Sequence, residues 1–171
     1  MVIQLEHIDT FAKEILDEAR GLGPIGRAAV VFLSGDLGAG KTTTVQAMGK
    51  ILGIKEDITS PTFVILKKYE IDRDMFGGRF EYLIHIDAYR LKSFTELQKI
   101  KFENYAEDEK NLIIVEWPEM VKDEKLVGDI GVRFEYGDKE GERKVELTKF
   151  DKSSSVIDFL NTFFIITDFF K

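Results

Sequence analysis

GDLGAGKTTT, residues 35–44, decides the fold of this 171-residue chain. Gly35, Gly40, Lys41 and Thr42 match G-x-x-x-x-G-K-[ST], the pattern of a loop that wraps a nucleotide's phosphates. The glycines let successive backbone N–H groups turn toward phosphate oxygens, and a helix that starts at the loop adds its positive end. In that arrangement the ammonium of Lys41 bridges the β- and γ-phosphates and the hydroxyl of Thr42 binds Mg²⁺.

The flanking sequence supplies the context the motif requires. AAVVFLS, 28–34, is a continuous apolar run suited to a strand buried on both faces. After the loop, Val45, Met48 and Leu52 share one face of a helix from about Thr42 to Leu52, with Gly53 as its stop. Upstream, Ile8, Phe11, Ile15, Leu16, Ala19 and Leu22 recur at helical spacing, Asp9 is a candidate N-cap, and GLGP ends the segment.

Farther along, TFVILKKYE (62–70) and FEYLIHIDAYRL (80–91) read as an antiparallel hairpin across a polar turn that includes Gly77 and Gly78. SFTE (93–96) reads as a capping box that opens another helix. NLIIVEWPE (111–119) is a buried strand ended by Pro118. DIGVRFEY and RKVELTKF alternate around GDKEGE as a second hairpin. From Ser153 to Ser155 a cap leads into an apolar stretch, residues 153–171, expected as an amphipathic helix or docked tail. The fold class that follows is α/β: a P-loop NTPase-like domain with a mixed, mainly parallel central sheet and two antiparallel hairpins, flanked by helices. With no repeat, linker or low-complexity block, residues 1–171 are expected to form a single domain.

Composition narrows the function classes. The net charge of −7 and pI near 5.0 argue against independent binding to RNA or DNA, which favours a basic surface. The absence of cysteine removes thiol nucleophiles, disulfides and thiolate metal sites, and two histidines, His7 and His85, are too few for a His-rich zinc centre. The N-terminal stretch carries Glu6 and Asp9 and no long apolar run, and FFIITDFF (163–170) is too short to span a bilayer. A cytoplasmic protein without a membrane segment is expected.

Mg²⁺ also calls for carboxylates at strand ends near the loop, where ligands gather in open α/β sheets. Asp87 ends YLIHID and Glu116 ends NLIIVE; either can serve as metal ligand, and either can orient an attacking water. The hydroxyl-rich TSPT, 59–62, resembles a switch segment that closes over the γ-phosphate through Thr62. Trp117 follows Glu116 and suits either the site or the core. Arg90 is expected in a salt bridge, and His85 as a packed, hydrogen-bonded residue.

No N-K-x-D guanine-reading motif is present, as a GTPase would need, and no L-S-G-G-Q-like signature, as an ABC ATPase would carry. Small-molecule kinases usually add an arginine-bearing lid, and no arginine cluster occurs. A nucleotide-gated binding module without required hydrolysis and a small-molecule kinase remain alternatives to an ATPase.

Taken together, GDLGAGKTT, SPTF, HIDAYRL and VEWPE stand in the order and spacing of the TsaE (YjeE) family, which this chain resembles from about Thr10 to Leu147. The resemblance implies a bacterial Mg²⁺-dependent ATPase subunit required for threonylcarbamoyladenosine (t6A) modification of tRNA; slow turnover alone is expected, since a site gated by a partner need not be complete without it. The resemblance implies that Leu37, Gly38, Ala39, Gly40, Lys41 and Thr42 bind ATP phosphates, and Gly35, Asp36 and Thr43, at the two ends of the same loop, are expected around the nucleotide with them. It further implies that Thr42 and Glu116 hold Mg²⁺, with Asp87 near the metal and the hydrolytic water. The segment from His7 to Thr10 and, in the last hairpin, Arg143 would flank the nucleotide. Its implied partners are TsaD and TsaB, with tRNA reached only through them. TsaD transfers a threonylcarbamoyl group to an adenosine beside the anticodon, and ATP turnover resets the complex. Thr44 and Ala88 depart from residues common in the family and read as packing variation. The stretch after about residue 150 matches no motif of the family.

Overall fold

The computed structural model describes residues 1–151 and 153–163. Its centre is a seven-stranded sheet of spatial order β1-β7-β6-β2-β5-β4-β3. The strands are β1 (Val2–Gln4), β2 (Ala29–Gly35), β3 (Leu66–Glu70), β4 (Tyr82–Asp87), β5 (Asn111–Glu116), β6 (Ile130–Tyr136) and β7 (Glu142–Lys149). The four inner strands, β6, β2, β5 and β4, run parallel, and β3, β7 and β1 add antiparallel edges. The sheet is mixed with a parallel centre, and both expected hairpins form.

Strand β2 explains why its sequence is continuously apolar. Ala29, Val31 and Leu33 point into the core beneath α1 (Ile8–Gly21) and α2 (Lys41–Ile51), while Val30 and Phe32 point into a second core. That second core is covered by α3 (Phe94–Lys99), α4 (Phe102–Ala106) and α5 (Val156–Phe163). A strand covered on both faces has no polar side to display.

Helix α5 is part of this core. Phe159 is fully buried, with ring centroids 5.5 Å from Phe32 and 4.9 Å from Phe163. Ser155 caps the helix: its hydroxyl accepts from the Ile157 amide, and Asp158 returns the contact to the Ser155 N–H at 2.7 Å. The expected helix thus forms through Phe163, and the remainder of the expected tail lies outside the described residues. Phe159→Ala is expected to destabilise the protein by about 3–5 kcal/mol, because it opens a cavity between sheet and helix. Urea unfolding checks this as a lower midpoint.

Local details differ from the sequence reading for physical reasons. His7, not Asp9, is the N-cap of α1, and Asp9 falls in the first turn, where its charge suits the helix dipole. Ser93 occupies the N-cap of α3 but makes no side-chain cap bond; Glu96 instead accepts from the Lys92 amide at 2.6 Å. Residues 62–65 form a turn, not strand, because Ile65 takes a left-handed φ of 68° and its N–H returns to Pro61. The short strand β1 was not expected; its partner β7 lies at the far end of the chain.

Candidate nucleotide site

The C-terminal ends of β2, β4 and β5 meet at one edge of the sheet. Register places Leu33 beside Glu116 and Glu116 beside Asp87, so both carboxylates emerge where β2 runs into the glycine loop. The loop ends at Gly40, the N-cap of α2, with φ 110°. Gly35 is fixed more tightly: at φ +127°, a Cβ would lie 2.0 Å from the carbonyl oxygen of Phe134. Gly35→Ala is therefore expected to destabilise by ~3 kcal/mol or more. A thermal melt checks it, with an unshifted midpoint contradicting the close approach.

The loop borders a cleft of about 280 Å³ lined by Leu37, Gly38, Gly40, Lys41, Thr42 and Thr43 on one side. Ser60, Thr62, Asp87, Tyr89, Glu116 and Trp117 line the other. Lys41 is 4% exposed, and its ammonium donates to the carbonyls of Gly35 (2.5 Å) and Asp36 (2.7 Å). It also lies 3.7 Å from the centre of the Trp117 ring, a cation–π contact. Burial lowers the Lys41 pKa from its ordinary value, opposed by the charges of Glu116, Glu119, Asp36 and Asp87.

The Thr42 hydroxyl is 2.9 Å from each oxygen of Glu116. Glu116 is buried and also meets Nε2 of His85 at 2.7 Å, so His85 is packed and hydrogen-bonded as expected. Asp87 accepts from the hydroxyls of Ser60 (3.1 Å) and Thr62 and from the Tyr89 amide (3.0 Å). The TSPT segment is thereby tied to the carboxylate at the end of β4. The departures at Thr44 and Ala88 are accommodated: Thr44 is buried with its hydroxyl on the Gly40 carbonyl (2.8 Å), and Ala88 is buried in the second core.

Other expected site residues surround the loop without lining the cleft. Arg143 donates from Nε to the Ala39 carbonyl (3.1 Å) and from Nη2 to that of Gly38 (3.3 Å), bracing the loop. His7 and Thr10 are exposed at the start of α1, on the segment whose Leu5 side chain approaches Gly40. Asp36 and Ala39 contribute backbone carbonyls, to Lys41 and Arg143 respectively. Arg90 is a correction: its guanidinium lies 4.4 Å from the Phe63 ring centre, a cation–π contact where a salt bridge was expected. The open alternative for Trp117 falls on the side of the cleft, where it meets Lys41 and Tyr89.

Two residues escaped the sequence reading. Ser60 was seen only as part of a hydroxyl-rich loop, yet it bonds Asp87. Glu119 follows the left-handed turn at Trp117 (φ 57°) and Pro118, which folds it back toward Lys41. Burial raises its carboxyl pKa, opposed by nearby backbone amides and by the Lys41 charge. A carboxylate three residues beyond a strand end was the available signal.

The donor set fits Mg²⁺. Among the described residues no group of three or more His, Asp or Glu side chains could hold a metal alone. Mg²⁺ commonly takes one or two protein oxygens and completes its shell with phosphate and water, and Thr42, Glu116 and Asp87 offer such hard oxygens together. No helix among the described residues is long and apolar enough to cross a membrane.

Comparison with known proteins agrees with this geometry. The family model for "Threonylcarbamoyl adenosine biosynthesis protein TsaE" matches residues 4–145. A tRNA threonylcarbamoyladenosine biosynthesis protein TsaE from Nostoc sp. (strain PCC 7120) is 40% identical over 126 residues, covering 72% of each chain. The protein of that name from Rickettsia felis is 36% identical over 132 residues, covering 77% of this chain and 71% of its own. The crystal structure of Bacillus subtilis YdiB superposes with a TM-score of 0.62 at 25% identity, covering 88% of this chain and 84% of that one.

Proposed function

The chain belongs to the TsaE family, and on that premise we propose that it is a Mg²⁺-dependent ATPase acting with TsaD and TsaB in t6A modification of tRNA. The observation that carries this reading is the Thr42 hydroxyl set against both oxygens of Glu116 at the mouth of a glycine loop, with Asp87 beside it.

Each residue has a task in this reading. The amides of residues 38–43 and the start of α2 hold the phosphates. Lys41, bonded here to its own loop carbonyls, turns its ammonium to the transferred phosphoryl, whose charge it stabilises. Thr42 and Glu116 hold Mg²⁺, which when bound neutralises charge on the phosphate oxygens. Asp87, held by Ser60 and Thr62, orients the attacking water and couples its position to the TSPT segment. Arg143 braces the loop from behind, and His7 and Thr10 flank the nucleotide from the start of α1. The acidic net charge suits a subunit that leaves tRNA to its partners.

The test is the fate of the γ-phosphate. With γ-labelled ATP and Mg²⁺, label is expected in inorganic phosphate and to vanish with EDTA. Transfer of label to a metabolite would mark the protein as a kinase and overturn the reading.

A further inference from the structure

We propose that His85 is a positioning residue: it fixes one oxygen of Glu116 so that the other faces the divalent cation bound with the nucleotide. This rests on the proposed role of Glu116 as metal ligand.

His85 lies on β4, two residues before Asp87 and on the same face of the sheet. Asp87 pairs with Glu116 and His85 with Ile114, so the imidazole reaches diagonally to the carboxylate on β5. The ring is fully buried, and Nε2 is 2.7 Å from Oε1 of Glu116. Nδ1 has no hydrogen-bond partner among the described residues. An ionised carboxylate only accepts, so the contact requires the proton on Nε2. Among the described residues Glu116 is therefore the ring's one hydrogen-bond partner, and this bond offsets the cost of burying the ring.

The consequence lies at the far side of the carboxylate. Thr42 carries a single proton and stands 2.9 Å from both Glu116 oxygens, so by itself it leaves the carboxylate free to rock. The bond from His85 to Oε1 removes that freedom and presents Oε2 to the cleft. Partners behind a metal ligand act in this manner, orienting it without touching the metal.

The experiment uses the full chain and Mn²⁺ as a paramagnetic stand-in for Mg²⁺. Electron paramagnetic resonance measures Mn²⁺ affinity in complex with a non-hydrolysable ATP analogue, and nucleotide affinity is measured separately in EDTA. His85→Phe keeps a ring in the core and removes the donor. It is expected to weaken Mn²⁺ binding by about 10–100-fold, with metal-free nucleotide affinity unchanged. His85→Asn, whose amide is too short to reach Oε1, is expected to do the same and carries the comparison if the phenylalanine variant does not fold. Glu116→Gln serves as reference. Wild-type Mn²⁺ affinity in the His85 variants, with loss in Glu116→Gln, would overturn the positioning role and leave Glu116 as ligand. Wild-type affinity in Glu116→Gln would overturn the ligand reading and this inference with it. Equal loss of Mn²⁺ and metal-free nucleotide affinity in the His85 variants would reduce His85 to a structural residue.

Discussion

Replacing Lys41 with alanine is expected to lower ATP turnover by about 10³-fold or more while the protein stays folded. Among the described residues the ammonium is the one positive side chain lining the cleft, and in phosphoryl transfer such a charge does most of its work on the transferred group. Removal of a single preorganised donor from an active site lowers turnover by about 10²–10³-fold, and here the donor is a full charge in a desolvated place. The effect on folding is expected to be small because two contributions oppose each other. Burial disfavours the charged ammonium, as its lowered pKa reflects, so its removal relieves desolvation. Against this, the carbonyls of Gly35 and Asp36 lose a donor and Trp117 loses its cation–π partner. A melting shift of no more than about 5 °C is expected. Phosphate release and a melt on the same preparation check both halves; undiminished hydrolysis would remove Lys41 from the site.

Glu116→Gln is the second large effect. The substitution keeps the shape of the side chain and an oxygen for the Thr42 and His85 donors, but removes the negative charge. Loss of charge at a cation ligand is expected to reduce turnover by about 10²–10³-fold, several kcal/mol of stabilisation at the phosphoryl oxygens. Nucleotide binding in EDTA is expected to persist, since the loop amides and Lys41 remain. Turnover compared across a Mg²⁺ titration, with binding measured in EDTA, separates the two. Equal loss of metal-free binding would mean that Glu116 shapes the loop and does not hold metal.

The contrast between Lys41 and Glu119 shows how far the sequence reached. The glycine loop was legible because its chemistry is local: Gly35, Gly40, Lys41 and Thr42 fall within one short segment of the chain, and their backbone demands appear as residue types. Asp87 and Glu116 were legible for a related reason, since an apolar strand that ends in a carboxylate marks a strand exit. Register, which sets the two side by side, was not written in either segment. Glu119 was hidden because only the left-handed turn at Trp117 returns it to Lys41. Strand β1 was hidden too: three residues cannot display a period, and they are strand only because β7 is there to pair. The contact of Arg90 with Phe63 likewise joins two loops whose proximity no local pattern encodes.

The measurement that tests the central claim most directly is phosphate release from ATP by this protein, alone and with TsaD and TsaB from the same source. Slow release alone and strong stimulation by the two partners together, abolished by Lys41→Ala, is the predicted result. Clear ATP binding with no stimulation by either partner would contradict the account of the protein as their ATPase.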